Sequence, residues 1–314
     1  HYPLRRQRQM CIRDSTHGGF VNSMLKTLKG MGVDVPDELA DIKDTILSLH
    51  ENGELAKSFV ACPLMHGTGM WLGGFLSHLL GGCVVTTPNL GLDTKLLWEE
   101  VERVGITNII IVGDSFAKPM VKELDRAVSE NKPYNLETLK LIYSSGVMFS
   151  ADVKASLLEH HDMVLMDAMG SSEGGMGSSV TTREDGAATA KFRLNPGVVV
   201  VSDDGEEVLP GSGVRGLIGT SGLVPEGYYK DKEKSDATFK EFNGTRYSFP
   251  GDYALVEADG TITLLGRGSN CINSAGEKIY PEEVEEALKL NSNVYDSLVV
   301  GLPDLSLIHI SEPT

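Results

Sequence analysis

The sequence predicts an α/β protein: a large region of helix-covered, mostly parallel sheet, an antiparallel β subdomain, and the start of a small α+β region near the carboxyl end. Three observations carry this. Continuous apolar runs at residues 109–112, 141–143 and 163–166 are those of strands buried on both faces, which parallel sheets covered by helices require. Helical stretches near 118–129 and 151–160 separate these runs. After Val180 the texture changes to short apolar segments around Asp-Gly turns, the mark of antiparallel ribbons.

Taken in order, Leu39, Ile42, Ile46 and Leu49 stand at helical spacing from Pro36 to the Asn52-Gly53 stop. A short strand at 58–62 runs into Pro63-Leu64-Met65-His66-Gly67 and an apolar helix over 70–80, which Gly81-Gly82 ends. Residues 83–87 read as the next strand, and 93–104 as a helix capped by Asp93 and stopped by Gly105. Two ribbons follow, one from 198–201 into Asp203-Asp204-Gly205, the other joining 254–256 to 261–265 through Asp259-Gly260. Gly266-Arg267-Gly268-Ser269-Asn270 separates them from a helix over 281–290 with Pro at its first turn, and 294–301 reads as a strand.

With 41% hydrophobic and 23% charged residues and no unbroken apolar run near about 18 residues, the 314-residue chain has no transmembrane segment and suits about two domains. Cysteines at 11, 62, 83 and 271 are too scattered for a disulfide framework or a C-x-x-C metal site, so a reducing, cytoplasmic setting is expected. A net charge of −16 repels nucleic acid and anionic lipid and directs attention to a small ligand. Residues 1–15, HYPLRRQRQMCIRDS, hold four arginines in an acidic chain; they and residues 305–314, LSLIHISEPT, resemble translated sequencing-adapter text. Both are expected to be non-native. Without them 24 basic residues face 42 acidic ones, a net −18.

The densest chemistry lies at residues 167–179, D-A-M-G-S-S-E-G-G-M-G-S-S, past the end of a buried strand, where open α/β sheets collect ligands. Its glycines permit backbone to approach a phosphate, Ser172 offers a hydroxyl, and Glu173 offers a carboxylate for Mg²⁺. The same string also reads as a flexible Gly/Ser loop with a solvated glutamate. Residues 141–147, L-I-Y-S-S-G-V, end the preceding strand in small residues that leave room for a flat ring. Asp252, after Tyr247-Ser248-Phe249-Pro250-Gly251, can accept ribose hydroxyls, and Arg267 can donate to hydroxyls or phosphate; each alone is also an ordinary surface charge.

The strings M-G-S-S-E (169–173), L-V-P-E-G-Y-Y-K-D (223–231), Y-S-F-P-G-D (247–252) and G-R-G-S-N-C-I-N-S-A-G-E-K-I-Y-P-E-E-V-E (266–285) stand in the order of the core motifs of the adenylate-forming, AMP-binding superfamily. Over residues 16–304 the chain resembles that superfamily of acyl-CoA synthetases, peptide-synthetase adenylation domains and luciferases. P-L-M-H-G and S-S-G-V-M-F-S look closest to bacterial fatty-acid and steroid-side-chain CoA ligases.

The resemblance implies a ligase that uses ATP, Mg²⁺ and coenzyme A. A hydrophobic carboxylate, fatty-acyl or steroid-derived, is adenylated, and the CoA thiol then displaces AMP. It places Ser172 on the α-phosphate and Glu173 on Mg²⁺, with Gly170 in the same motif. Gly146, Val147, Asp167, Ala168 and Met169 would flank adenine, and Asp252 and Arg267 would hold ribose. His66 would gate the acyl and pantetheine channels, or else cap the helix that follows; Gly276, Glu277 and Lys278 would line the pantetheine tunnel, although Lys278 also reads as a solvated lysine. Met65, Trp71, Phe75, Val147, Met148 and Met176 are candidates for the acyl pocket or for plain core.

The resemblance also implies a division into a partial large domain, 16–267, and the start of a small one, 268–304, hinged at Ser269. The family's Gly/Ser/Thr-rich phosphate loop would precede residue 16 and its adenylation lysine would follow residue 304. Neither string occurs in the 314 residues, so a piece of a longer enzyme, inactive by itself, is expected. The alternatives are an adenylation domain that loads a carrier protein and a nucleotide-binding module without catalysis.

Overall fold

Buried β-branched runs and the helices between them build the first part of the molecule, seen in a computed structural model that describes residues 13–89, 91–184, 191–268, 271–274, 277–289, 291, 294 and 297–301. The chain forms two compact units, one holding the described residues up to Gly197 together with Thr220–Ser248, the other Val198–Gly219 with those from Phe249 onward.

In the first unit, strands β2 (Lys57–Val60), β3 (Cys83–Val85), β4 (Asn108–Ile111), β5 (Leu141–Ser145) and β6 (Val164–Ser171) lie parallel in the order β3-β2-β4-β5-β6. The strands' side chains alternate between two cores. Phe59, Ile109, Ile111, Ile142 and Leu165 enter one, with Trp98, Met120 and Leu157; Val60, Ile110, Tyr143 and Met166 enter the other, with Met24, Leu28 and Leu76. Burial on both faces explains why the strands read as continuous rather than alternating runs, and each fully buried aliphatic side chain contributes about 2 kcal/mol.

The connecting helices are α3 (Thr68–Phe75, continued by Leu76–Leu79), α4 (Thr94–Glu100, continued by Val101–Gly105), α5 (Gly113–Ser129) and α6 (Ala151–His160). Asp93 caps α4 as its sequence predicts, its Oδ1 accepting the Leu96 amide at 3.0 Å. Gly105 ends that run at φ +70°.

Two helices precede this sheet. α2 (Ile42–Glu51) lies where the apolar spacing places it, whereas α1 (His17–Gly30) goes beyond the expected elements. Its signals are Thr16, whose hydroxyl caps the Gly19 amide at 3.0 Å, and Met24, Leu25 and Leu28, all buried. α5 begins five residues ahead of the predicted 118, with Pro119 inside it. Tertiary anchors set that start: Asp114 N donates to Met148 O, and the Asp114 carboxylate accepts Ser150 N and Oγ.

β7 (Gly174–Thr181) and β8 (Lys191–Leu194) continue from β6 antiparallel. The first unit also contains the C-terminal end of β10 (Arg215–Ser221), β11 (Gly227–Tyr228), α7 (Lys232–Thr238), and the pair β12 (Phe239–Phe242) and β13 (Thr245–Ser248). A two-residue strand at Arg13–Asp14, β1, pairs with β11.

The second unit is antiparallel. β14 (Asp252–Val256) and β15 (Thr261–Arg267) form the expected hairpin, with Gly260 at φ +78° in its turn. β9 (Val198–Val201) turns at 203–205, and its return is a single bridge, Val201 to Glu207, with Val208 N donating to Val200 O at 2.8 Å; β9 also pairs with β10. β16 (Ile272–Ser274), β17 (Glu277–Ile279) and α8 (Pro281–Lys289) follow.

The strand expected at 294–301 is corrected: residues 294 and 297–301 are not in a strand. The Val299 amide, a group that a sheet partner would use, donates instead to Glu285 Oε1 on α8 at 2.8 Å, and the Ser297 hydroxyl donates to Glu285 O at 2.9 Å. Among the described residues, no helix is long and apolar enough to cross a membrane.

Candidate active site

The string whose alternative reading is a flexible Gly/Ser loop is a tight hairpin. β6 runs on through Ser171, Ser172-Glu173 form the turn, and β7 returns with Gly170 opposite Gly175 and Ser171 opposite Gly174. The glycines serve strand packing. A Cβ on Gly177 would stand 2.6 Å from Arg193 O, one on Gly174 2.5 Å from Thr220 Cγ2, and one on Gly170 3.1 Å from Gly174 O.

Glu173 is therefore not a solvated loop glutamate: it is 4% exposed, and Tyr228 donates its hydroxyl to Glu173 Oε1 at 2.5 Å. The Glu173 amide donates to Ser171 Oγ at 3.2 Å, and Ser172 is half-buried beside it. Sequence reasoning singled out Glu173 but not Tyr228, although both lie in quoted motifs.

β5 and β6 place the residues assigned to adenine on adjoining strand ends, with Ser144 opposite Asp167 and Ser145 opposite Ala168. Gly146 turns the chain at φ +99°, a left-handed conformation that favours glycine. Thr68 Oγ1 donates to Ser145 O at 3.5 Å, bringing the segment after His66 to the same strand end. Val147 is exposed, whereas Met169 is buried.

The Asp167 side chain lies on the face covered by α6, where Lys154 Nζ stands 3.6 Å from its Oδ2 and 5.1 Å from the Phe149 ring centre. Both charged residues are buried. Burial raises the Asp167 carboxyl to about 6 against the opposing pull of Lys154, and pushes Lys154 below the usual lysine range. Lys154 is a second residue that sequence reasoning missed. Its signal is a lysine between Val153 and Leu157 on the buried side of α6.

His66 is exposed, and its carbonyl accepts the Met70 amide at 2.9 Å as α3 begins. Of the acyl-pocket candidates, Met65, Phe75 and Val147 are exposed, Trp71 and Phe75 each pack edge-on against Phe20, and Met176 is core.

In the second unit, Asp252 and Arg267 face each other across β14 and β15, Nε to Oδ1 at 3.4 Å, so the two residues assigned to ribose form one ion pair. Gly251, at φ +107°, makes the turn that delivers Asp252 to β14. Glu277 and Lys278 are in β17; Ser269 and Gly276 lie outside the described residues. No group of three or more His, Cys, Asp or Glu side chains is placed to cage a metal among the described residues. A buried single carboxylate in a tight turn nevertheless suits Mg²⁺ that arrives with phosphates, because that ion takes one or two protein carboxylates and fills its octahedron with phosphate oxygens and water.

A parallel sheet whose strand ends carry small residues, followed by a hairpin with a buried glutamate, defines a class, and the family comparison agrees: residues 17–229 match the AMP-binding enzyme family. The chain belongs to that family. It is 44% identical over 248 residues to a medium/long-chain-fatty-acid–CoA/3-oxocholest-4-en-26-oate–CoA ligase of Mycolicibacterium smegmatis, covering 77% of this chain and 44% of that protein. It is 43% identical over 247 residues to a 3-oxocholest-4-en-26-oate–CoA ligase of Rhodococcus rhodochrous, with 77% and 44% covered. The chain thus spans somewhat under half the length of these curated relatives. Among solved structures, the O-succinylbenzoate CoA synthetase of Bacillus subtilis in complex with AMP shares the fold at TM-score 0.70 and 20% identity, with 93% of this chain and 54% of that one covered.

Proposed function

We propose that the protein to which these residues belong is an ATP-dependent acyl-CoA ligase for a hydrophobic carboxylate. The observation that carries this reading is the buried Glu173 beside Ser172 in the β6–β7 turn, in a chain 42–44% identical to ligases named for fatty acids and a steroid acid. A carboxylate is a poor acyl donor. Its oxygen attacks the α-phosphorus of ATP, the bond to pyrophosphate breaks, and the mixed anhydride gives the carbonyl a good leaving group; the CoA thiol then forms the thioester and releases AMP.

The residues of this chain bind and orient. Gly146, Val147, Ala168 and Met169 offer the flat surface for adenine, Ser172 donates to the α-phosphate, and Glu173 holds Mg²⁺. That ion would supply charge neutralisation on the phosphates. Asp252 accepts from ribose hydroxyls with Arg267 fixing its carboxylate, His66 gates the acyl channel, and Glu277 and Lys278 contact pantetheine after movement of a small domain that begins near residue 268. Free thiols, including the exposed Cys83, suit a cytoplasmic setting.

The full-length protein with ATP, Mg²⁺ and dodecanoate is expected to release pyrophosphate and, with CoA, to give dodecanoyl-CoA. Glu173→Gln is expected to slow pyrophosphate release by about 100-fold. Unimpaired release by that variant would overturn the assignment of Glu173. Transfer to a phosphopantetheinylated carrier in preference to CoA would move the reading to a carrier-loading domain.

A further inference from the structure

The motif L-V-P-E-G-Y-Y-K-D has no task in the reaction as set out above, yet its residues are built around one side chain. Tyr228 donates its hydroxyl to Glu173 Oε1 at 2.5 Å. The rest of the string fixes that tyrosine. Its amide donates to Ser235 Oγ at 2.8 Å, and Ser235 Oγ bonds back to Asp231 O at 2.6 Å. Asp231 in turn caps α7 through the Lys234 amide at 3.1 Å. Gly227 leaves room for this hydroxyl, since a Cβ there would stand in tight contact with Ser235 Oγ at 3.0 Å. The ring is held from two sides, with Lys234 Nζ 4.3 Å from its centre and the Phe239 ring at 5.6 Å. A cap, a short helix, a cation over a ring and a glycine therefore converge on the direction of one O–H bond.

A buried carboxylate that binds a metal gains from such a partner. The hydrogen bond selects one rotamer, so the orientation does not have to be recovered from several when the ion arrives. We propose that Tyr228 is a positioning residue that orients Glu173 for the Mg²⁺ of bound ATP, and that the 223–235 segment exists in this fold to hold it. This rests on the reading of Glu173 as the metal-binding carboxylate. In this role Tyr228 acts through Glu173.

The test reads binding of ATP to the full-length protein by calorimetry, with Mg²⁺ and with EDTA, alongside thermal unfolding of each variant. Mg²⁺ is expected to tighten ATP binding to the wild-type chain, and Glu173→Gln to abolish that gain. Tyr228→Phe keeps the ring, its packing and its cation while removing the hydroxyl. It is expected to reduce the gain by about tenfold, with affinity in EDTA and melting temperature unchanged. Combined with Glu173→Gln it should cost nothing further. Equal losses with and without Mg²⁺ would show a merely structural role and overturn the proposal, as would an unaltered gain in Tyr228→Phe when Glu173→Gln has lost it. A gain that survives Glu173→Gln would instead overturn the metal reading of Glu173 on which the proposal stands.

Discussion

Lys154 and Asp167 are the residues whose environment differs most from the one their chemistry would choose. Two buried charges 3.6 Å apart hold each other, with Asp114 on α5 and Tyr143 on β5 as titratable neighbours; burial and the Asp167 charge push Tyr143 up to about 12. An acid whose pKa rises on folding binds its proton more tightly in the folded chain. The contribution of Asp167 to stability is therefore greatest when it is protonated, and is lost as pH rises from about 4 through about 6. Lys154→Met removes the cation that holds this pKa down. Asp167 should then ionise above about 6, and the variant should lose more stability at pH 8 than at pH 5, about 3 to 5 kcal/mol at the higher value. Urea unfolding at the two pH values checks this; an equal loss at both would mean that the pair is not ionised in the folded chain. Glu173 was legible in the sequence because it stands in a short ordered motif. Lys154 was not, because nothing local distinguishes a buried lysine from a solvated one until the strand opposite supplies its carboxylate.

At the scale of elements, the candidate site is held by the junction between α5 and the turn after β5. Gly113 begins α5 at φ +53°, its amide donates to Ser144 Oγ at 2.9 Å, and a Cβ there would lie 2.2 Å from Met148 O. Gly113→Ala should destabilise the chain by about 2 to 4 kcal/mol, from the left-handed backbone and the collision with a carbonyl that is itself bonded to Asp114 N. A lower urea midpoint at unchanged slope would report this, and a midpoint equal to wild type would refute the tight junction. Sequence periodicity located the parallel strands and α2, α4 and α6, since their apolar spacing is local. It placed the start of α5 too late, because contacts with Met148 and Ser150, distant in sequence, draw the helix back to 113.

For the whole molecule, a net charge of −16 means that like charges repel across the surface in every folded arrangement. Raising ionic strength from about 0.01 M to about 0.5 M shortens the screening length well below the size of the molecule and should raise the urea midpoint. A midpoint that falls with salt would show that attractive pairs such as Arg126 with Glu123 and Glu130 outweigh the excess. The same charge makes retention of duplex DNA in a gel-shift assay unexpected at any salt.

Residue order by itself determined the α/β class, the alternation of buried strands with helices, the Asp-Gly hairpin at 259–260 and the motifs that mark an AMP-binding enzyme. Each of these depends on neighbours within a few positions, where side-chain period, caps and turns act. Only the tertiary structure decided that the Gly/Ser string is a hairpin, that Glu173 is buried under Tyr228, that Asp167 faces Lys154 and that the Val299 amide bonds to α8. The last three outcomes join residues 13 to 55 positions apart, and the desolvation that makes such a pairing matter exists only once the strands and helices have closed over it.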